Sequence, residues 1–254
     1  MLVAPEQLKL SHVGRREQMV LAAFSMLFTV NIAISNVSLA MVSVPFHQIV
    51  RSTTPVATIL IYRWLGRSYG TMTYVSLIPI VAGVGLSTYG DYYATLLGAS
   101  LTFLGVFLAA LKTVATNKLL TGSLKLPALE LLLRMSPLAA VQSLLWAFAT
   151  GEVSAFLDFT AEGKMNAGLI LALLGNGFLA FMLNVTSFQT NKLAGALTLS
   201  VCGNVKQILT VILGIVLFKI NVRPMNAVGM AIALGGAAWY SKVELDVKRA
   251  SARS

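Results

Sequence analysis

Between residues 19 and 241 the chain is a succession of eight apolar runs, each close to the ~20 residues a helix needs to cross ~30 Å of hydrocarbon. They cover 19–41, 43–65, 71–89, 93–116, 128–150, 166–187, 193–218 and 225–241. In lipid every backbone polar group needs an internal partner, so runs of helical length predict helices. The expected fold class is therefore all-α, a polytopic transmembrane helix bundle of about eight spans. Composition agrees: charged residues make up 11% of the chain and the mean hydropathy is +0.79, whereas soluble domains are about 25% charged. Residues 1–18 are polar and basic and form an expected cytoplasmic N-terminal segment, residues 19–241 the transmembrane domain, and residues 242–254 a basic cytoplasmic tail. The N-terminal segment offers no apolar run for a secretory signal, so the first span is expected to act as the targeting signal.

The net charge of +10 could serve nucleic acid, but its distribution points to topology instead. Loops on one side carry twelve cations, among them Arg15, Arg16, Arg63, Arg67, Lys118 and Lys242; the other side carries Lys164, Lys219 and Arg223. The positive-inside rule then places both termini in the cytoplasm. The loop holding Glu152, Asp158 and Glu162 faces the opposite side. Cys202 is the only cysteine, which excludes an intramolecular disulfide.

Four cations lie within or at the edge of spans: Arg51, Lys112, Arg134 and Lys206. A charge at that depth is costly and commonly marks a ligand or ion path. Asn36 precedes Arg51 by 15 residues, and Asn191 precedes Lys206 by the same 15, at an overall offset of 155. Residues 19–89 and 93–241 are accordingly read as two repeats. Equivalent helices five spans apart cross in opposite directions, the pattern of an inverted-repeat transporter with its site at the repeat interface. The first repeat is two spans shorter than the second. Either the fold lacks the first two of ten helices, or it works with eight.

Two cations facing one cavity repel unless an anion lies between them. Phosphate suits this, with Arg51 offering a bidentate fork and Lys206 a point charge. Snorkelling to the interface is the competing explanation for Arg51, and a helix-end cation interacting with the dipole is the competing one for Lys112. His47 stands one turn before Arg51 and either lines the cavity or makes a structural hydrogen bond. Asn36 and Asn184 either join helices or touch a polar ligand. Glu130 and Arg134, spaced i, i+4, are expected to pair. Gly229, Ala233 and Ala237, four apart, predict a close helix contact. No metal cluster, paired carboxylates or nucleophile motif is visible, so neither an enzyme nor a cofactor is expected.

Asn36-Val37-Ser38-Leu39, then Val42-Ser43-Val44, then Phe46 through Arg51 to Pro55, resembles the triose-phosphate and nucleotide-sugar translocator family of the drug/metabolite transporter superfamily. Leu77 to Val84, Met135 to Ala139 and Gly203-Asn204-Val205-Lys206 extend the likeness over roughly residues 20–241. The resemblance implies ten helices in two inverted halves, of which this chain would begin at the third. It also implies alternating access and exchange of phosphorylated compounds. Arg51 and Lys206 stand at positions similar to phosphate-binding lysines of plastid members, and Lys112 near a further cationic position. Asn204 and Gln207 flank Lys206 as accompanying candidates. Plastid members carry Arg where Gln207 stands and an aromatic where Leu183 stands, which implies a nucleotide-sugar or another sugar-phosphate rather than a triose phosphate.

The expected function is an antiporter for such organic phosphates in a Golgi or endoplasmic reticulum membrane. Its expected partners are a small phosphorylated substrate and the bilayer, no nucleic acid, with room for a homo-oligomer. A metabolite or amino-acid exporter of the same superfamily, or a non-transporting truncated form, are the alternatives.

Overall fold

The structure, a computed structural model, describes residues 14–88, 95–122, 125–218 and 223–251. Among these, the elements are α1 (Arg15–Met41), α2 (Val44–Arg51), α3 (Thr54–Trp64), α4 (Thr71–Thr88), α5 (Leu96–Thr121), α6 (Ala128–Ala149), α7 (Glu152–Ala161), α8 (Ala167–Phe218) and α9 (Pro224–Ser251). Among the described residues four stretches are long and apolar enough to cross a bilayer: Arg15–Met41, Leu96–Thr121, Ala128–Ala149 and Ala167–Leu193, with Thr71–Ser87 a shorter apolar helix. Apolar side chains face outward and polar ones inward. Leu171 and Leu217 are 70% exposed while Ser25, Ser52 and Thr58 are fully buried, an arrangement that suits lipid and is unfavourable in water. The chain is a polytopic helical membrane protein.

The expected span over 43–65 is two helices, not one. Ser43 caps α2, its hydroxyl accepting from Phe46 N at 3.2 Å. Pro55 has no amide hydrogen to give the Arg51 carbonyl one turn earlier, so the helix cannot run through. Three successive hydroxyls bond the carbonyls three residues back: Ser52 donates to Ile49 O at 2.6 Å and Thr53 to Val50 O at 2.7 Å, both of which also accept a backbone amide, and Thr54 donates to the freed Arg51 O at 2.6 Å. Arg51 is thus the last residue of α2.

Two further expectations are corrected. The chain reversal expected between 187 and 193 is not formed, and both predicted spans lie on the single helix α8. Gln189-Thr190-Asn191-Lys192 is polar but contains neither Gly nor Pro, and nothing in it breaks a helix. The acidic loop between 150 and 166 contains α7, entered through Gly151 at φ +77°, a left-handed conformation that glycine reaches without strain. At the other end α9 runs on to Ser251, so the start of the expected basic tail is helical.

The chain forms two compact units, one within Met1–Val30 and Lys118–Leu193, the other within Asn31–Asn117 and Ala194–Ser254. In the first, the Ser25 and Thr29 hydroxyls of α1 both donate to Gln142 Oε1 of α6 at 3.1 Å. Arg134 donates through Nε to Glu130 Oε1 at 2.9 Å, forming the expected pair at the start of α6.

In the second unit α4 and α9 are packed against one another. A Cβ on Gly83 would overlap the backbone of Ala233, and one on Gly229 the backbone of Leu86 and Ser87, so only glycine permits this approach. The predicted Gly229, Ala233, Ala237 stripe is the contact surface, with both alanines fully buried. Beside it a core of Val42, Phe46, Ile49, Val50, Val84, Val106, Val211 and Ala233 fixes α2 among α4, α5, α8 and α9.

Candidate functional site

The break after α2 opens onto a cavity of about 230 Å³ inside the second unit. Gln48, Arg51, Thr54 and Pro55 line it from α2 and α3. Ala109, Lys112 and Thr113 line it from α5, and Leu199, Gly203 and Lys206 from α8. Helical periodicity explains the grouping: residues three and four apart share a face. Each of the three walls therefore presents one cation with small or neutral neighbours a turn away.

Several contacts fix these walls. Asn31 of α1 donates through Nδ2 to Gly105 O of α5 at 3.1 Å. One turn further along α1, Ser35 Oγ accepts from Arg51 Nη1 at 2.9 Å, which holds the guanidinium. Arg51 also stands at the C-terminal end of α2, where the helix dipole favours a cation. Lys112 lies nine residues before the end of α5, so it is not the helix-end cation that a shorter span would have made it. Lys206 is exposed towards the cavity it lines, five residues before Val211, which is anchored in the same core as Phe46 and Ile49.

The described lining residues include three cations and no carboxylate. Like charges around one space repel more strongly where the dielectric is low. Such a cavity favours an anion and disfavours an amine.

Of the sequence candidates, Arg51, Lys112 and Lys206 share the cavity. His47 does not line it; the ring is buried, and its Nδ1 has no hydrogen-bond partner among the described residues. Asn36 is exposed on α1 and is not a lining residue. Asn184 donates to Ala180 O of its own helix at 2.9 Å. The side chains of Asn204 and Gln207 lie outside the described residues. Sequence reasoning passed over Gln48, Thr54 and Thr113, and did not connect Ser35 with Arg51. The i, i+3 spacing of Gln48 to Arg51, and the Ser-Thr-Thr-Pro run that follows, were the available signals.

Comparison with known proteins gives a consistent picture. A family model described as the Triose-phosphate Transporter family matches residues 3–241. A GDP-mannose transporter of Arabidopsis thaliana is 30% identical over 220 residues, 86% of this chain and 64% of that protein. A probable sugar phosphate/phosphate translocator of the same plant is 31% identical over 226 residues, 88% of this chain and 73% of that protein. Its chloroplastic glucose-6-phosphate/phosphate translocator 1 is 26% identical over 223 residues, 85% and 56% of the two chains. The chain thus spans between about half and three quarters of the length of these relatives.

Proposed function

This chain belongs to the Triose-phosphate Transporter family, and from that premise we propose that it exchanges small organic phosphates across a membrane. The substrate is a sugar-phosphate or a nucleotide-sugar, the two kinds of compound named for its relatives. The observation that carries the reading is the cavity where Arg51, Lys112 and Lys206 converge from three helical walls with no carboxylate among the described lining residues. Arg51, held by Ser35, grips two oxygens of a phosphate. Lys112 and Lys206 supply the remaining positive charge as point-charge ammonium groups.

Exchange follows from electrostatics. With the cavity empty the three cations repel one another, and reorientation in that state is unfavourable. An anion in the cavity removes the penalty, so each crossing is accompanied by cargo. The matched spacing of Asn36 to Arg51 and Asn191 to Lys206 supports reading residues 19–89 and 93–241 as related halves around this site. An endomembrane location, Golgi or endoplasmic reticulum, with both termini cytoplasmic, accords with the loop charges and with the nucleotide-sugar carriers among the relatives. The exporter alternative is disfavoured, because an amino group has no counter-charge among the lining residues.

The test is uptake of labelled glucose 6-phosphate or UDP-galactose by liposomes containing the purified chain. Vesicles preloaded with phosphate should take up one of the two substrates, and empty vesicles should not. Arg51→Gln and Lys206→Gln should each abolish the uptake. Uptake that survives both substitutions, or that ignores the internal anion, would rule the mechanism out.

A further inference from the structure

The cations account for one end of a substrate. The neutral groups beside them carry information about the other end, and this inference rests on the phosphate reading above. Gln48 is one turn before Arg51 on α2, and Thr54 is three residues after it at the start of α3; both line the cavity. The Thr54 hydroxyl gives its hydrogen to Arg51 O at 2.6 Å. Its oxygen therefore offers the cavity only lone pairs. Gln48 makes no side-chain hydrogen bond to the described residues, so its amide can both accept and donate.

An acceptor-only oxygen needs a donor opposite it. A doubly ionised phosphate has none, and neither has a hydrocarbon chain. A sugar has several, and adjacent hydroxyls suit an oxygen and an amide set on either side of one cation. Thr113 of α5 likewise directs its hydroxyl hydrogen to the backbone, to Ala109 O at 2.8 Å.

Size and lining narrow the class further. The cavity, at about 230 Å³, lies below the range of roughly 300–1,000 Å³ that holds drug-sized ligands. A sugar-phosphate suits that volume, whereas a nucleotide-sugar adds a base, a ribose and a second phosphate. A base also calls for a stacking surface. The described lining residues include no aromatic side chain, and residues 194–217 of α8 contain none in their sequence.

We propose that Gln48 and Thr54 form a hydroxyl-reading subsite next to Arg51, and that the substrate is a polyhydroxylated phosphomonoester, a sugar-phosphate, rather than a nucleotide-sugar. The phosphate is held by the cations, and the subsite selects what is attached to it. A site that hydrogen-bonds a hydroxyl rejects analogues lacking it, because its own polar groups are then left unmatched.

The experiment is competition against radiolabelled inorganic phosphate bound to the full chain in lipid nanodiscs. The competitors are glucose 6-phosphate, cyclohexylmethyl phosphate as a hydroxyl-free analogue of similar size, and UDP-galactose. Glucose 6-phosphate should displace phosphate at concentrations about tenfold lower than cyclohexylmethyl phosphate. Gln48→Met and Thr54→Val should each collapse that ratio towards one, whereas Thr54→Ser, which keeps the hydroxyl, should retain it. The ratio separates a specificity role from general damage to the cavity, which would weaken both competitors together. A ratio that persists in Gln48→Met, or UDP-galactose outcompeting glucose 6-phosphate, overturns the subsite. A wild-type chain that binds no labelled phosphate overturns the reading of the cations beneath it, and the subsite with it.

Discussion

Arg51 and Pro55 are one helical turn apart, and the proline leaves the Arg51 carbonyl without its usual amide donor. Thr54 Oγ1 supplies the missing hydrogen bond at 2.6 Å. The cation therefore ends a helix, inside an otherwise apolar segment, at the wall of a cavity. A charged side chain and an irregular backbone at membrane depth are both tolerated where they line such a space.

Substituting Pro55 by Ala restores the amide donor and allows α2 and α3 to join. Arg51 then loses its terminal position while every cation is still present. Phosphate binding should weaken by at least about tenfold, with no loss of thermal stability, since a helix interior is better served by Ala than by Pro. Ligand-induced thermal shifts with and without phosphate measure both quantities. Unaltered phosphate binding would show that the break is not what positions Arg51.

Lys206→Met keeps the apolar stem and removes one of three like charges. The ligand-free protein should become slightly more stable, by less than about 1 kcal/mol because water in the cavity screens the field. Phosphate binding should fall in the same variant. A residue present only for structure would lower stability when changed, so opposite signs in a melting curve and a binding isotherm identify a functional cation.

Gly229→Val places a branched side chain where the backbone of Leu86 and Ser87 already lies. The α4–α9 pair must separate, at a cost of about 1–3 kcal/mol or more. Thermal unfolding in detergent should show a clearly lowered midpoint. Gly235→Ala on the same helix, where a Cβ meets nothing within 4 Å, should leave the midpoint nearly unaltered.

Glu244 lies beyond the apolar part of α9, buried, and accepts a hydrogen bond from Thr73 Oγ1 of α4 at 3.0 Å. Burial raises its pKa above the ordinary carboxylate value, and the Thr73 hydrogen bond offsets this in part. Nearby, burial together with Tyr62 and Glu244 pushes the Tyr69 hydroxyl up to about 12. The folded state thus binds a proton on Glu244 more readily than the unfolded chain does. Its contribution to stability is complete below the unfolded glutamate value of about 4.3 and is lost as pH rises through the raised folded value. Glu244→Gln should flatten this dependence and melt higher than the unsubstituted chain at pH 8, with a smaller difference at pH 5. Parallel slopes for the two proteins would show that Glu244 is not the titrating group.

Most of the architecture was legible because lipid enforces helix-length apolar runs, and the Glu130–Arg134 pair and the Gly229 stripe follow from helical periodicity alone. Arg51, Lys112 and Lys206 stood out because charge is rare at that depth. The break after Arg51 was hidden, since Ser52, Thr53 and Thr54 lower the hydropathy only slightly and proline is ordinary in membrane helices. The continuity of α8 was missed for the converse reason: Gln189 to Lys192 are polar, and polarity was read as a turn although none of these residues terminates a helix. Gln48 and Thr54 carry no charge, and only the cavity wall distinguishes them from other polar side chains within spans.

Where α4 and α9 cross, main chain meets main chain with no side chain between them at Gly83 and Gly229. Side chains can change rotamer to absorb sliding, and a bare backbone contact cannot. The crossing therefore locks the axial register of α4 against α9, and one added methyl at either glycine is enough to undo it.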